Sequence, residues 1–363
     1  MGVRARLARY AAGLPAPFVV AVPGGARCRV AVEAELRRRG WTPVADPVAC
    51  DALLVCGEPG DELAAAVDAV WAGVPAPRVR VDLPSRASAR EVAAALDGLV
   101  PVLADVPAQR AEAARTAAKP WPPPAEHAEH DDESGHGGGG MEMGGPGGVA
   151  LASRAPDRDG LKLDVLHVPL GPVLAWWPAG LRVAVTLQGD VVQSADVELL
   201  PGAVAETFWD VPAGTPRRAA ARRRAAARLD ALARFLGAAG WPARAAEAAR
   251  HRDDLLADAF REARVRRFAR SVRRSRTLRW MARGVPPSYL AWLDDVETTL
   301  AELHEPGEDP AAWRNGERGS CARGGRDAAG CGERGPGFRE LGESLVGVEL
   351  GTARLIVASV DER

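Results

Sequence analysis

The most concentrated set of potential metal ligands in this chain of 363 residues lies between its two halves. Imidazole, carboxylate and thioether groups follow one another in the run HAEHDDESGHGGGGMEMGGPGG. Imidazole suits zinc, nickel and copper, and thioether favours Cu(I). The candidate ligands are His127, His130, His136, Met141 and Met143. Because the run has too little apolar surface to fold by itself, we expect either a plain spacer or a weak, exchangeable copper, nickel or zinc site.

Cysteine thiolates are the second group that could bind metal. The five cysteines are an odd number at no regular spacing, unlike a secreted disulfide framework. They are Cys28, Cys50, Cys56, Cys321 and Cys331. We therefore expect reduced thiols and a cytoplasmic protein. No apolar run is long enough to cross a membrane, so we also expect no direct membrane span.

Acid–base, nucleophilic and phosphate-binding chemistry has less support. The chain has no HExxH motif and no recognisable triad. The turn Pro23-Gly24-Gly25 could present backbone N–H groups to an anion, but it matches neither a P-loop nor GxGxxG. His167, at the end of an apolar run, is a candidate quinone or proton ligand, and the alternative is a structural histidine.

Charge is distributed unevenly along the chain. The net charge of −1 gives no whole-chain field toward nucleic acid or anionic lipid. Residues 217–283, however, contain 20 arginines and 6 acidic residues. Apolar residues recur among these arginines at helical spacing, which predicts helices with one buried face and an arginine-rich outer face. No nucleic-acid-binding motif accompanies them, so we expect no nucleic-acid partner.

The elements that must position these groups differ between the two halves. Residues 1–108 alternate short apolar runs with amphipathic stretches, which predicts an α/β domain with a small parallel sheet. The apolar runs are 18–22, 52–55 and 78–82, and the amphipathic stretches are 29–39, 62–71 and 87–99. Residues 109–157 form the predicted linker.

Residues 158–363 are predicted to form an α+β domain. Strands at 161–168, 181–187 and 191–199 precede a bundle of four helices, and a hairpin turn is predicted at Gly189-Asp190. Within the bundle, 261–283 is predicted as one helix. After a polar loop at 307–337, we expect a helix at 339–345 and a β-rich run, ARLIVASV.

Both halves resemble subunits of one enzyme class, respiratory NADH:quinone oxidoreductase (complex I) and the related NiFe hydrogenases. PFVVAVPGGARCRVAVEAEL and CDALLVCGEPGDELAAAVDAVWAGVPAPRVRVDLP resemble the cluster-bearing small subunit. The large subunit is similar to four later runs: VALASRAPDRDGLKLDVLHVPLGPVL, LRVAVTLQGDVVQSADVEL, RFARSVRRSRTLRWMARGVPPSYLAWLDDVETTLAEL and GPGFRELGESLVGVELGTARLIVASVDER. The chain thus resembles a degenerate fusion of the two subunits.

This resemblance implies a scaffold without its usual chemistry. The family's small subunit holds a [4Fe–4S] cluster on four thiolates, whereas here Cys28 alone stands at the residual cluster-loop position. Cys50 and Cys56 flank a strand and are not expected to face Cys28. The quinone-binding histidines and the nickel-binding Cys-x-x-Cys of the large subunit have no counterpart. We expect no iron–sulfur cluster and no other resident cofactor.

Three functional hypotheses follow. The first is a non-catalytic accessory or assembly component of a membrane-associated redox complex, with the basic helical face meeting an acidic partner subunit. The chain would then be peripheral at the inner face of the membrane through its partners. The second is an electron-transfer oxidoreductase subunit that retains a centre at Cys28, Cys50 and Cys56 with a further ligand. The third is metal binding by the histidine and methionine linker.

Overall fold

The computed structural model describes residues 3–117, 154–156, 161–202, 208–303 and 336–361. It confirms the predicted fold class. A small parallel sheet with helices forms the first half, and an antiparallel hairpin sheet followed by helices forms the second. None of the described helices has the length and apolar character that crossing a membrane requires.

The first half is built on three parallel strands in the order β1-β2-β3. The described residues of this half form six α-helices and three strands, besides one short 3-10 helix. In chain order they are α1 (Val3–Ala12), β1 (Pro17–Ala21), α2 (Ala26–Arg39), β2 (Ala52–Cys56), α3 (Asp61–Gly73), β3 (Val79–Leu83), α4 (Ala89–Asp97), α5 (Leu99–Ala104) and α6 (Val106–Ala117). Helix α6 extends beyond the predicted domain boundary at residue 108.

The central strand β2 is buried along its whole length, because both faces of the sheet are covered. Leu53 and Val55 pack with Leu63 of α3 on one face. Leu54 and Cys56 pack on the opposite face with residues of α2 and α4. The continuous apolar run ALLVC is therefore a strand of a covered parallel sheet, as the sequence predicts.

The sheet of the second half has the order β4-β5-β6-β7 and is antiparallel throughout. Its strands are β4 (Arg154–Pro156), β5 (Lys162–Leu170), β6 (Leu181–Gln188) and β7 (Val191–Leu199). The predicted hairpin turn at Gly189-Asp190 is confirmed, and Gly189 has a φ of 62°. Alternate residues of β6 point into the core, because period-two alternation buries one face of the sheet. Strand β4 lies inside the range predicted as linker.

Seven helices are described after the sheet: α7 (Arg217–Ala238), α8 (Pro242–Leu256), α9 (Glu262–Arg274), α10 (Arg276–Met281), α11 (Ser288–Glu302), α12 (Pro336–Leu345) and α13 (Leu350–Ala358). They pack against the inner face of the sheet in one core. Phe235 of α7 stacks on Tyr289 with ring centroids 5.0 Å apart and meets Trp292 edge-on. The apolar spacing that predicted α7 therefore marks its buried face.

Two predictions for this half are wrong. The single helix expected at 261–283 is two helices, because Ser275 is extended and its hydroxyl accepts a hydrogen bond from the backbone N–H of Leu278, which starts α10. The run ARLIVASV, expected to be β-rich, lies mostly in α13. Residues 355–358 are all buried, and a helix buried on every side has the same continuous apolar pattern as a buried strand.

Candidate functional site

The turn Pro23-Gly24-Gly25 is a point of contact between the two halves. A Cβ atom on Gly180 would lie 2.5 Å from Cγ of Pro23, and one on Gly202 would overlap the carbonyl oxygen of Pro23. Next to it, the backbone N–H of Gly60 donates to the carbonyl of Pro201 at 3.1 Å. The backbones of the two halves therefore approach closely here, and the glycines permit it.

Helix α2 lies between the parallel sheet and the helices of the second half. Its inner face carries Cys28 and Leu36, which are buried against the sheet. Its other face carries Arg29, Glu33 and Arg37, which share that face because they are four residues apart. These three side chains meet charged residues of α7 and α8. The first half thus presents a charged stripe to the second.

Six charged side chains meet across this boundary and form what we call the junction cluster: Arg29, Glu33, Arg37, Asp230, Arg252 and Asp253. Arg29 donates two hydrogen bonds to the carboxylate of Asp230, at 3.1 and 2.6 Å. Such a bidentate pair is the strongest arginine–carboxylate geometry. Both halves contribute to the cluster, so it holds them together.

Arg252 is the centre of the junction cluster and is completely buried. Its Nη1 donates to Asp230 at 2.6 Å and to Glu33 at 2.8 Å. Its Nε donates to Asp253 at 2.9 Å, and Asp253 also pairs with Arg37. One guanidinium thus joins α7, α8 and, through Glu33, the helix α2 of the first half.

The junction cluster is electrically balanced, with three arginines and three carboxylates. Burial raises the pKa of Asp230 and of Glu33, but the guanidinium groups of Arg29 and Arg252 outweigh this and leave both pKa values below the ordinary range. Burial, with repulsion from Arg252, lowers the pKa of Arg37 to about 10. Asp230, Glu33 and Arg37 are therefore ionised at neutral pH. A general acid or base needs a pKa near the working pH, so the cluster suits structural pairing.

Cys28 lies in α2, in the buried layer against the sheet, where its thiol neighbours that of Cys56. This contact and burial raise the pKa of Cys56 well above the ordinary thiol value. The expectation that Cys56 does not face Cys28 is therefore wrong, because β2 directs Cys56 toward α2. Cys50 packs on the opposite face of the sheet, where burial raises its pKa to about 11. The three thiols do not converge on one centre.

The other predicted ligands have different outcomes. The linker residues His127, His130, His136, Met141 and Met143 lie outside the described residues. Among the residues described, no group of three or more His, Cys, Asp or Glu side chains is arranged to hold a metal ion. His167 is exposed on β5, and its Nδ1 lies 3.2 Å from the hydroxyl of Thr186. This contact ties it to the neighbouring strand.

Sequence reasoning did not single out His251 of α8. Its ring lies edge-on to Phe268 with centroids 5.5 Å apart. Burial lowers its pKa below the ordinary histidine value, so it is neutral at neutral pH. Its Nε2 has no hydrogen-bond partner among the described residues. Its position beside Arg252 in a helical stretch was the one available signal, and that signal does not separate a core histidine from a functional one.

The arginines of α9 and α10 are arranged differently from those of the junction cluster. Val265, Phe268 and Val272 of α9 are buried, so the arginines of that helix point outward. Eight exposed arginines have no carboxylate of the described chain within ion-pair distance, and we call them the basic surface: Arg261, Arg264, Arg267, Arg270, Arg274, Arg276, Arg279 and Arg283. Residues 261–287 contain ten arginines and one glutamate, a formal charge of +9.

Comparison with models of protein families, with curated proteins and with solved structures finds no match to this chain. The described residues carry two arginine-rich features. The junction cluster is balanced and faces inward, and the basic surface is unbalanced and faces outward. Of the two, the basic surface is available to another molecule.

Proposed function

We propose that this chain is a non-catalytic accessory or assembly component of a membrane-associated redox complex of the NADH:quinone oxidoreductase or hydrogenase type. It works in the cytoplasm, peripheral to the inner face of the membrane, and docks on an acidic partner subunit through the basic surface. The observation that carries this proposal is the basic surface, eight exposed arginines in or next to α9 and α10 that have no ion-pair partner among the described residues. Uncompensated charge on one face favours and steers association with a surface of opposite charge.

The junction cluster supports the same proposal. The charges buried between the halves are paired with one another, so the two halves act as one unit and their mutual surface is not open to a partner. In the family that the sequence resembles, the corresponding regions belong to two separate subunits. This chain keeps both regions in contact and so retains a docking scaffold. Its cysteine at the cluster-loop position, Cys28, packs against Cys56.

The test is affinity capture of the tagged full-length protein from gently solubilised host membranes and cytosol, with mass spectrometry of the bound proteins. We expect respiratory or hydrogenase-type subunits with the wild type. The triple variant Arg267→Glu, Arg270→Glu, Arg274→Glu should recover at least about tenfold less, since reversing charge on a docking face costs several kcal/mol. Failure to recover such subunits reproducibly with the wild type would overturn the proposal.

The matched control reverses three exposed arginines of the first half, Arg27→Glu, Arg90→Glu, Arg110→Glu, which have the same chemistry and belong to neither the junction cluster nor the basic surface. It should recover as much of the complex as the wild type. Equal losses in both triple variants would show that net charge, and not the basic surface, governs docking.

A second candidate function is electron transfer by a residual metal centre. The contact between Cys28 and Cys56 favours it, because two cysteine side chains of a potential ligand set are already together. Cys50 would not take part from the opposite face of the sheet. Protein prepared anaerobically should then show the visible absorbance of iron–sulfur charge transfer, and Cys28→Ser should abolish it. A colourless, iron-free preparation would exclude this candidate.

The third hypothesis, metal binding by the linker, stays a prediction. It requires that His127→Ala, His130→Ala and His136→Ala together lower the copper, nickel or zinc stoichiometry of the protein. Unchanged stoichiometry of all three metals in the triple variant would refute it.

A further inference from the structure

The first helix, α1, presents large apolar side chains to solvent. Leu7 is 62% exposed, Tyr10 is 73% exposed, and Leu14, just after the helix, is 61% exposed. Spacings of three and four residues place them on one side, and the turn continues to Leu14 through its N–H bond to the carbonyl of Ala11 at 3.0 Å. Single exposed apolar residues are ordinary, but a contiguous group marks a surface that another phase or molecule covers.

Helix α1 contacts the rest of the domain through a small residue and not through its large apolar side chains. Helix α1 packs against α5, and Ala12 is the buried residue among the described side chains of α1. A surface helix normally buries its large apolar residues and exposes its small and polar ones. In α1 a small residue meets the protein while a leucine and a tyrosine face outward. Val102 of α5, the helix that α1 contacts, is also exposed.

Positive charge accompanies the apolar side. Arg6 and Arg9 of α1 are exposed, and the first acidic residue of the chain is Glu33. Helices that lie in a bilayer interface combine apolar residues, often with an aromatic residue at headgroup level, with arginine or lysine beside them. Basic residues near an anionic leaflet add attraction to its phosphates. The composition of α1 matches this pattern.

A second copy of the chain fits this face less well. In a two-fold contact the same surface meets itself, so Arg6 and Arg9 of one copy would approach those of the other. The sequence of α1 contains no carboxylate that could compensate Arg6. A surface of anionic headgroups provides that compensation and also an apolar layer for Leu7 and Tyr10.

We propose that α1 is a lipid-binding helix that lies in the headgroup region of an anionic bilayer. Leu7, Tyr10 and Leu14 enter the boundary with the acyl chains, and Arg6 and Arg9 bind the phosphates. This inference goes beyond the proposed function, because it places the protein directly on the membrane without a partner subunit. The basic surface on α9 and α10 stays free for protein contacts.

The experiment is cosedimentation of the purified full-length protein with vesicles of phosphatidylcholine, alone or mixed with phosphatidylglycerol. We expect binding to the mixed vesicles that weakens with added salt and little binding to phosphatidylcholine alone. The triple variant Leu7→Ser, Tyr10→Ser, Leu14→Ser should lower the partition coefficient about 100-fold, because each apolar side chain adds to the transfer free energy. Arg6→Gln with Arg9→Gln should lower it about 30-fold on mixed vesicles alone.

A matched control is Val48→Ser, Leu161→Ser, Val346→Ser, which removes three exposed apolar side chains from other places and should bind like the wild type. Circular dichroism confirms folding, and if the first triple variant does not fold, Tyr10→Ser alone should still lower binding about fivefold. Unchanged vesicle binding in the folded variants, or no vesicle binding by the wild type, would overturn the inference. So would a wild-type dimer, seen by light scattering, that dissociates in the Leu7, Tyr10 and Leu14 triple variant. Loss of vesicle binding with intact capture of redox subunits would leave the proposed function standing.

Discussion

The junction cluster and the basic surface are both rich in arginine, yet their surroundings are opposite. At the junction, Arg29 and Arg252 are held by Asp230 and Glu33 in a buried, balanced set. In the basic surface, eight arginines of similar local sequence stand in solvent with no carboxylate of the described chain within ion-pair distance. Arginine content therefore does not tell a structural site from a docking site. The two kinds of site are distinguished by whether carboxylates lie next to the arginines in the folded chain.

The largest expected effect comes from a substitution that breaks the ion pairs at the centre of the junction cluster. Replacing Arg252 by Ala leaves Asp230 and Glu33 with one guanidinium fewer in a buried place, which should lower the free energy of unfolding by about 3–5 kcal/mol. Urea denaturation followed by circular dichroism measures it. The matched variant Arg267→Ala on the basic surface should change the same quantity by less than about 0.5 kcal/mol. Similar losses in both variants would contradict the distinction between the two regions.

The pH dependence of stability sharpens the same comparison. The folded pKa of Asp230 is lowered, so its contribution to stability is fully present above its unfolded pKa of about 3.9 and is lost as pH falls through the folded pKa. The difference in unfolding free energy between wild type and Asp230→Asn should therefore narrow by about 2 kcal/mol between about pH 5 and pH 2.

The control for this titration is Asp68→Asn, which removes an exposed partner of Arg80. Because surface ion pairs contribute little, the difference between this variant and the wild type should stay nearly constant over the same pH range. A flat difference for Asp230→Asn would show that its ion pairs do not stabilise the fold.

The smallest expected effect concerns the backbone contact beside the cluster. In Gly202→Ala the new Cβ overlaps the carbonyl of Pro23, and relieving such a clash should cost about 1–2 kcal/mol. The control Gly351→Ala adds a Cβ into open space within α13 and should stabilise by about 0.5–1 kcal/mol. Thermal unfolding compares the two. An undestabilised Gly202→Ala variant would mean that the halves separate here without cost.

Local patterns predicted much of the fold. The runs at β1 and β2 and the Gly189-Asp190 hairpin were predictable, because the period of apolar residues and turn chemistry depend on neighbours in the chain. The prediction of a β-rich run at the end of the chain was wrong. Leu355 and Val357 are buried together with their neighbours in α13, and a continuously buried helix shows no helical period of apolar residues in its sequence.

The site was less accessible to sequence reasoning. The contact between Cys28 and Cys56, and that between Arg252 and Glu33, join residues far apart in the chain. Nothing in the local pattern of α8 separates Arg252, completely buried, from the exposed Arg267 of α9. The arginine-rich outer face was predictable as a class of surface, but which arginines it contains depends on how the helices pack.

The junction cluster also has a consequence for the continuity of the chain. Its ion pairs, and the backbone contact of Gly60 with Pro201, join residues before position 61 to residues after position 200 without using the segment between the halves. The covalent connection between the halves raises the effective concentration of one half near the other. A protease cut within residues 118–153 would thus convert one polypeptide into two associated ones. We expect the nicked protein to elute as a single species, which is the behaviour of a two-subunit complex.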